Sequence, residues 1–268
     1  VEAVVVKLND GFSGQGNAVV ELDELDGSLL DSPVVFCAED ESWASFTPKI
    51  VEGGAVVEEL LAVPGMVSPS VQLRVLPGGQ PLVLSTHSQV LGGPNHQVYQ
   101  GCRFPADSEY RTEIRAAAER VARVLAGRGV IGYFGVDFFV VPQGERQRIY
   151  LAEINLRVGG TTHPFGMAAL ATEGSYDATS GHLVADGRAK WYLATDNLKS
   201  SRLLGRRPGA VIDTLLGCGL LYDHRRRGGV TLHLLGALHD HGKMGFTCIG
   251  DSPSEAERLY DEVLAALA

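Results

Sequence analysis

Residues Gly132 to Gly166 read GYFGVDFFVVPQGERQRIYLAEINLRVGGTTHPFG, and this stretch decides the fold. Two strand-like runs flank a polar turn near Pro142–Arg148. The first run carries Asp137; the second ends in Glu153 and Asn155, with Arg157 just beyond. Side chains two apart on an extended strand share a face. Glu153, Asn155 and Arg157 are therefore expected to look into one space, and pairing across the turn brings Asp137 to it. Two carboxylates and an amide carbonyl make a hard-oxygen set suited to Mg²⁺, which keeps waters and phosphate oxygens as its other ligands. Gly159 and Gly160 let the backbone come close to a ligand. A helix is expected over Thr162–Thr172, with Thr161 or Thr162 as its cap. That sets Thr161, Thr162 and His163 at a helix N-terminus, a place suited to a carboxylate or phosphate. His163 serves equally well as a packing partner.

Composition bounds the rest. The chain has 268 residues, 45% apolar and 21% charged, enough for one large domain or two smaller ones. A net charge of −9 argues against general nucleic-acid affinity, which needs a cationic surplus; the run Arg225–Arg227 reads as a solvated loop. Cys37, Cys102, Cys218 and Cys248 form no CxxC pair, which fits reduced thiols in a cytoplasmic enzyme. Cys102 has no histidine placed to make it a nucleophile. No apolar run reaches the roughly 18 residues of a membrane span, and no signal peptide opens the chain. The first residues, VEAVVVK, already read as strand without an initiator methionine, so the chain is expected to begin inside a fold.

Val4–Leu8 is followed by Asn9–Asn17, with three glycines in six residues, and then by Ala18–Val20. Such a loop can turn several N–H groups toward one anion, and Lys7 beside it supplies a point charge for phosphate. An ordinary hairpin tip fits the same residues as well. No helix follows, so neither a P-loop nor a dinucleotide fingerprint is met. Ser32–Val35 is expected as a strand and Glu39–Thr47 as a helix. Ala55–Leu61 is expected as a buried strand ending in acids. Val71–Leu76 and Leu82–Leu84 form a hairpin, with Gln72 and Arg74 on one face. Arg74 is equally a surface ion-pair partner and a cation for the site. Ser85–Pro105 reads as a long polar loop, on which His87 and His96 are more readily solvated than functional. Ser108–Gly127 keeps helical spacing, with a Glu119–Arg123 pair on its wet side. Farther on, strands are expected at Lys190–Ala194, Val230–Leu238 and Met244–Ile249, and a helix at Pro208–Leu216. His239–Lys243 is expected as a polar turn rather than a metal site, and Trp43 and Trp191 as core or edge residues. Ser252-Pro253-Ser254-Glu255 caps a closing helix.

The order of these signals is specific. A lysine-tipped strand and glycine loop, an acidic strand end, a hairpin, a helix, an Asp strand and a Glu-x-Asn-x-Arg strand leading into glycines resemble the ATP-grasp superfamily of carboxylate–amine ligases. The resemblance runs over about residues 1–180. It implies an α+β fold in which two antiparallel sheets sandwich a nucleotide. Residues 1–62 would be part of a lid, 63–185 the catalytic core, and 186–268 a small appended α/β module. By the matching positions, Lys7, Ser13, Gly14, Gln15, Gly16 and Asn17 cover the phosphates of ATP. Glu58, Glu59 and Leu60 stand at the adenine hinge. Asp137, Glu153 and Asn155 hold two Mg²⁺. The C-terminal arrangement is similar to peptide ligases of the pheganomycin type from natural-product biosynthesis, which join an unusual amino acid to a peptide acceptor.

The implied chemistry is attack of a substrate carboxylate on the γ-phosphate, then of an amine on the resulting acyl phosphate. Arg157 and the Gly159 and Gly160 amides are the candidates for binding the acyl phosphate and the oxyanion, with Arg74 a second cation. Two departures stand out. Many relatives carry a basic residue where this chain has Gly135, and an upstream nucleotide-binding lysine lies outside the sequence. The expected partners are a carboxylate and an amine or peptide acceptor, and the missing N-terminal segment of the same protein, with no nucleic acid and no membrane. A homodimer is left open. The alternatives are an ATP-grasp carboxylase or purine-pathway-type enzyme, or a nucleotide-binding module without catalysis.

Overall fold

The computed structural model describes residues 1–11, 16–22, 32–38, 40–61, 63–93, 98–144 and 146–268. The chain forms two compact units, Val1–Pro64 with Val90–Gln100, and Gly65–Gln89 with Gly101–Ala268. Ser13, Gly14 and Gln15 of the expected phosphate loop, and His96, lie outside the described residues.

The first unit contains strands β1 (Ala3–Leu8), β2 (Asn17–Glu21) and β3 (Val34–Phe36), helix α1 (Trp43–Gly53) and strand β4 (Ala55–Glu59). They form a four-stranded sheet in the order β3-β2-β1-β4, with β1 antiparallel to both its neighbours. Val6, Ala18, Val20 and Phe46 make its small core. The helix starts later than Glu39 because Ser42 is its cap. The Ser42 side chain accepts from the Ser45 N–H, and Ser45 Oγ accepts from the Ser42 N–H. Trp43 packs edge-on against Phe36 at 5.3 Å. The expected buried strand at Ala55–Leu61 is instead an edge strand, and Val56 and Val57 are exposed.

The second unit opens with β5 (Pro69–Val75), most of β6 (Pro81–Gly92) and of β7 (Val98–Phe104), whose facing ends belong to the first unit, then α2 (Ser108–Gly127), β8 (Gly132–Gln143), β9 (Arg146–Asn155) and α3 (Thr162–Thr172). It continues with β10 (Ser175–Asp177), β11 (His182–Ala185), β12 (Arg188–Lys199), α4 (Pro208–Gly217), β13 (Gly229–His233), α5 (Leu238–His241), β14 (Lys243–Gly250) and α6 (Pro253–Leu267). Its strands join a ten-stranded sheet in the order β10-β11-β12-β7-β6-β5-β8-β9, with β14 pairing β12 and β13 beside that path. An α+β fold with two antiparallel sheets is therefore observed.

Several expectations change here. Ser85–Pro105 is not a polar loop: β6 and β7 fill most of it. Ser85, Thr86 and His87 are buried, His87 fully, with its Nε2 2.6 Å from the Tyr192 hydroxyl. Glu119 pairs with Arg115 at 2.9 Å, while Arg123 donates to the Glu119 carbonyl. Arg227 is no solvated loop residue; it pairs with Asp186 at 2.8 Å and Glu173 at 3.1 Å and donates to the Thr172 carbonyl. The expected polar turn at His239 is a one-turn helix, α5. Residues 186–268 share their sheet with the preceding segment, because β12 is hydrogen-bonded to β7 on one edge and β14 on the other.

Strand alternation and one helix position the site. Val71, Leu73 and Val75 of β5 and Phe134, Val136, Phe138 and Val140 of β8 face a core shared with α2. That helix buries Tyr110, Ile114, Ala118 and Ala122, a spacing of four that keeps one stripe on the sheet. It starts on Asp107, which accepts from the Glu109 N–H at 2.9 Å. It ends on Gly129 at φ +81°, a left-handed residue that lets Val130 donate back to Leu125. With the odd-numbered residues of β5 and the even-numbered residues of β8 buried in this core, their neighbours are left to the opposite face.

Candidate active site

That opposite face carries the residues singled out by sequence. β5 pairs with β8 in the register Ser70↔Asp137, Gln72↔Gly135 and Arg74↔Tyr133. β8 pairs with β9 as Asp137↔Glu153 and Gly135↔Asn155. Rows of side chains thus cross three strands, and Asp137, Glu153 and Asn155 meet. The Asn155 amide donates to Asp137 Oδ2 at 3.0 Å and to Glu153 Oε2 at 3.1 Å, joining the two carboxylates. Among the described residues no cluster of three or more His, Cys, Asp and Glu gathers for a metal. The set here is two carboxylates and one amide, a mixture of oxygen donors that fits Mg²⁺.

Electrostatics mark Asp137 within this set. Burial pushes its pKa up to about 7, and the Glu153 charge opposite pushes the same way. Arg157 and hydrogen bonds from Gln89 and Asn155 pull it part of the way back. Two carboxylates side by side in a partly buried row repel one another, and a divalent cation relieves that repulsion.

Beyond Asn155 the chain departs from the expected geometry. The Arg157 N–H donates to the Asn155 carbonyl at 2.8 Å, a tight turn that ends β9 and breaks the alternation. Arg157 is therefore not the third side chain of an extended row. It lies exposed after the turn, still close enough to lower the Asp137 pKa. The Gly159 N–H, expected among the oxyanion donors, is bonded to Thr162 Oγ1 at 3.1 Å, and the Thr162 N–H donates to the Gly159 carbonyl. Thr161 is the first residue before α3, but its side chain makes no capping bond and is buried. His163 packs edge-on against His233 with ring centroids 4.3 Å apart. Burial lowers the pKa of both rings, that of His233 to about 4, and keeps them neutral.

Arg74 stacks over the Tyr133 ring, 4.8 Å from its centroid, and Nη1 donates to the Tyr133 hydroxyl at 3.3 Å. Among the described residues no ion pair forms on it. In the first unit, Lys7 makes an ion pair with Glu58 on the neighbouring strand. Asn17 starts β2 opposite Lys7, the Gly16 carbonyl accepts from the Leu8 N–H, and the Leu60 N–H donates to the Ala3 carbonyl; Glu59 is exposed. Sequence reasoning placed Gln72 beside Arg74 but gave it no role. The signal that could have found it is Gly135, a residue without a side chain directly opposite on β8.

Comparison with known proteins places the chain in a family. The model of an IQCH-like ATP-grasp family matches residues 31–179, more than half of the sequence. The chain belongs to the ATP-grasp family. A PGM1 C-terminal domain model matches residues 210–263 of this ATP-grasp chain. A curated relative, L-propargylglycine–L-glutamate ligase of Streptantibioticus cattleyicolor, is 37% identical over 244 residues, covering 90% of the chain and 48% of the relative. IQ motif-containing protein H of Danio rerio is 24% identical over 207 residues, 75% of the chain and 19% of that protein. N5-carboxyaminoimidazole synthetase from Staphylococcus aureus, solved with ADP, superimposes with a TM-score of 0.56 at 14% identity, covering 99% of this chain and 61% of that one. A Campylobacter jejuni biotin carboxylase–ATP complex does so at 0.60 and 12% identity, covering 98% and 57%. The ATP-grasp chain thus spans about half of the curated ligase and about three-fifths of these solved structures.

Proposed function

We propose that this ATP-grasp chain is the metal- and nucleotide-holding body of a ligase that joins a carboxylate to an amine through an acyl phosphate, releasing ADP and phosphate. The observation that carries the reading is the β8–β9 cluster in which the Asn155 amide ties Asp137 to Glu153. It gains weight from the 37% identity to an amino-acid ligase. Similarity to the carboxyaminoimidazole synthetase and biotin carboxylase is low in sequence and supports the fold alone.

Asp137, Glu153 and Asn155 would hold Mg²⁺, which when bound neutralises charge on the transferring phosphoryl group. Lys7, Gly16 and Asn17 are assigned to the nucleotide phosphates, together with the loop residues Ser13 to Gln15. Glu58, Glu59 and Leu60 are assigned to adenine. Arg157, at the end of the turn after β9, is assigned to the acyl-phosphate oxygens, and Arg74 to the γ-phosphate. Gly160, Thr161 and His163 border the substrate carboxylate at the start of α3. Because Thr162 already binds the Gly159 N–H, Gly160 is the better-placed oxyanion donor of the two glycines. The substrates are an amino acid, of an unusual kind as in the relative, and an amine or peptide acceptor.

The test is amine-dependent ADP release by the protein at its full natural length, with L-glutamate and L-propargylglycine as the first pair and other amino-acid pairs after it. Glu153→Gln should lower turnover at least about a hundredfold, because it deletes one of the two carboxylate charges that would hold Mg²⁺, while the melting temperature stays within a few degrees. Release of AMP and pyrophosphate would reject an acyl phosphate. A wild-type rate in Glu153→Gln would remove that residue from the site.

A further inference from the structure

Gln72 is buried, 5% exposed, on the site face of β5. Apolar side chains dominate the core behind it, so its amide has to be satisfied toward the site. Its neighbours form one row across three strands, Gln72↔Gly135 and Gly135↔Asn155. Gly135 has no side chain, and the Gln72 amide lies flat over it. A Cβ at Gly135 would stand 2.9 Å from Gln72 Nε2 and 3.4 Å from Oε1. The strand opposite is thus notched to admit this amide.

From that notch the amide reaches the acyl side of the site. Gln72 Oε1 accepts from the Thr162 hydroxyl at 3.1 Å. Thr162 Oγ1 in turn accepts from the Gly159 N–H at 3.1 Å. With its proton directed to Gln72, the hydroxyl turns a lone pair toward Gly159, so the two bonds reinforce one another. A strand in the centre of the sheet is tied in this way to a glycine segment that has no side chain of its own to hold it.

We propose that Gln72 is the positioning residue of the acyl-side loop: acting through Thr162, it fixes the Gly159–Gly160 backbone beside the metal row. The assignment rests on the ligase reading for its effect on catalysis, while its structural half is independent of any activity. It gives Gly135 a purpose as well, since a Cβ there would stand 2.9 Å from Nε2 and push the amide off its seat.

The first measurement needs no substrate. Gln72→Met keeps the length and loses both polar atoms, so hydrogen exchange of the segment spanning Gly159 should quicken about tenfold, as for loss of one hydrogen bond near 1.4 kcal/mol. Gln72→Glu keeps an acceptor for Thr162 and should restore the protection. Gly135→Ala, which keeps the Gln72 side chain but crowds its seat, should shift exchange in the same direction as Gln72→Met. Unchanged exchange in both Gln72→Met and Gly135→Ala would overturn the proposal.

The second measurement is kinetic, with L-glutamate and L-propargylglycine or the pair that releases ADP in the test above. Gln72→Met should lower kcat/KM for the carboxylate by up to about a hundredfold, the scale of a 1 Å misplacement, with KM for ATP within twofold. Thr162→Val should do the same, and the double variant should be no worse than either single. Additive losses would overturn the proposal, because Gln72 would then act by another route. Wild-type protein inactive with every pair would reject the ligase reading, and the exchange result would still decide the structural tie.

Discussion

The two faces of the sheet at β5, β8 and β9 differ in what they are made of and in what a change would cost. One face is Val71, Leu73, Val75, Phe134, Val136, Phe138 and Val140, closed under α2. The other, on the same strands and one residue out of phase, is Ser70, Gln72, Arg74, Tyr133, Gly135, Asp137, Glu153 and Asn155. The first is apolar and gains from burial. The second gathers two carboxylates, one with its pKa pushed up to about 7, and burial there is a penalty. The sheet carries that penalty on its site face because the core face supplies the stability, which is how these strands can hold a partly buried carboxylate row and still fold.

The strongest way to break this comparison is Phe134→Ala. Phe134 is 1% exposed in the centre of the core face. Truncation leaves a cavity under α2 and should cost about 3–5 kcal/mol, read as a fall in the urea midpoint. Glu153, on the neighbouring strand β9, lies on the site face beside Asp137, so Glu153→Gln should show the reverse pattern, with activity lost and the midpoint held. Equal losses of stability in both variants would mean that the faces are not separable.

The strand alternation explains how much of this was legible beforehand. Asp137, Glu153 and Asn155 were placed correctly on one face because period two needs only the sequence and a turn. The limits of α2 and α3 followed from spacing and from glycine and threonine signals. Arg157 was misplaced because alternation was extended past Asn155, where a backbone bond closes a turn that no residue type announces. Ser85–Pro105 was misread because β6 and β7 carry buried polar residues, among them Ser85, Thr86 and His87, and polarity was taken for loop. The partner of His87, Tyr192, lies about a hundred residues away in sequence. Pairings over such separations, like the Arg227 contacts with Glu173 and Asp186, leave no local trace.

Those buried polar groups on β6 give a second, smaller test. Full burial pushes the His87 pKa down from 6.5 to about 3, so the folded protein holds it neutral. Between those values the unfolded chain takes up a proton that the folded one refuses. Stability therefore falls as pH drops through that window, by at most about 1.4 kcal/mol per pH unit from this group. His233, held down to about 4 by burial and by His163, adds a slope of the same sign between 6.5 and 4. His87→Gln should lower the urea midpoint at pH 7, through its lost bond to Tyr192, yet show a shallower decline between pH 6.5 and 4.5 than the wild type. An equal decline would mean that His87 is charged in the fold.

The smallest effect belongs to the closing helix. Ser252 caps α6: its hydroxyl accepts from the Glu255 N–H at 3.2 Å, and Glu255 Oε2 reaches back to the Asp251 N–H at 2.8 Å rather than to Ser252 itself. Pro253 occupies the first helical turn, where its missing N–H costs nothing. Removing the hydroxyl in Ser252→Ala leaves one helix-end N–H without its side-chain acceptor, worth about 1 kcal/mol. The helix continues to bury Ala256, Leu259, Val263 and Leu267, so the fold survives. The expected result is a shift of a few degrees in melting temperature for a chain of this size, with kcat/KM for both substrates unchanged. A kinetic change without a stability change would show that α6 communicates with the site face, and the separation between stability and chemistry drawn from β5, β8 and β9 would not extend to the helix packed on β12 and β14.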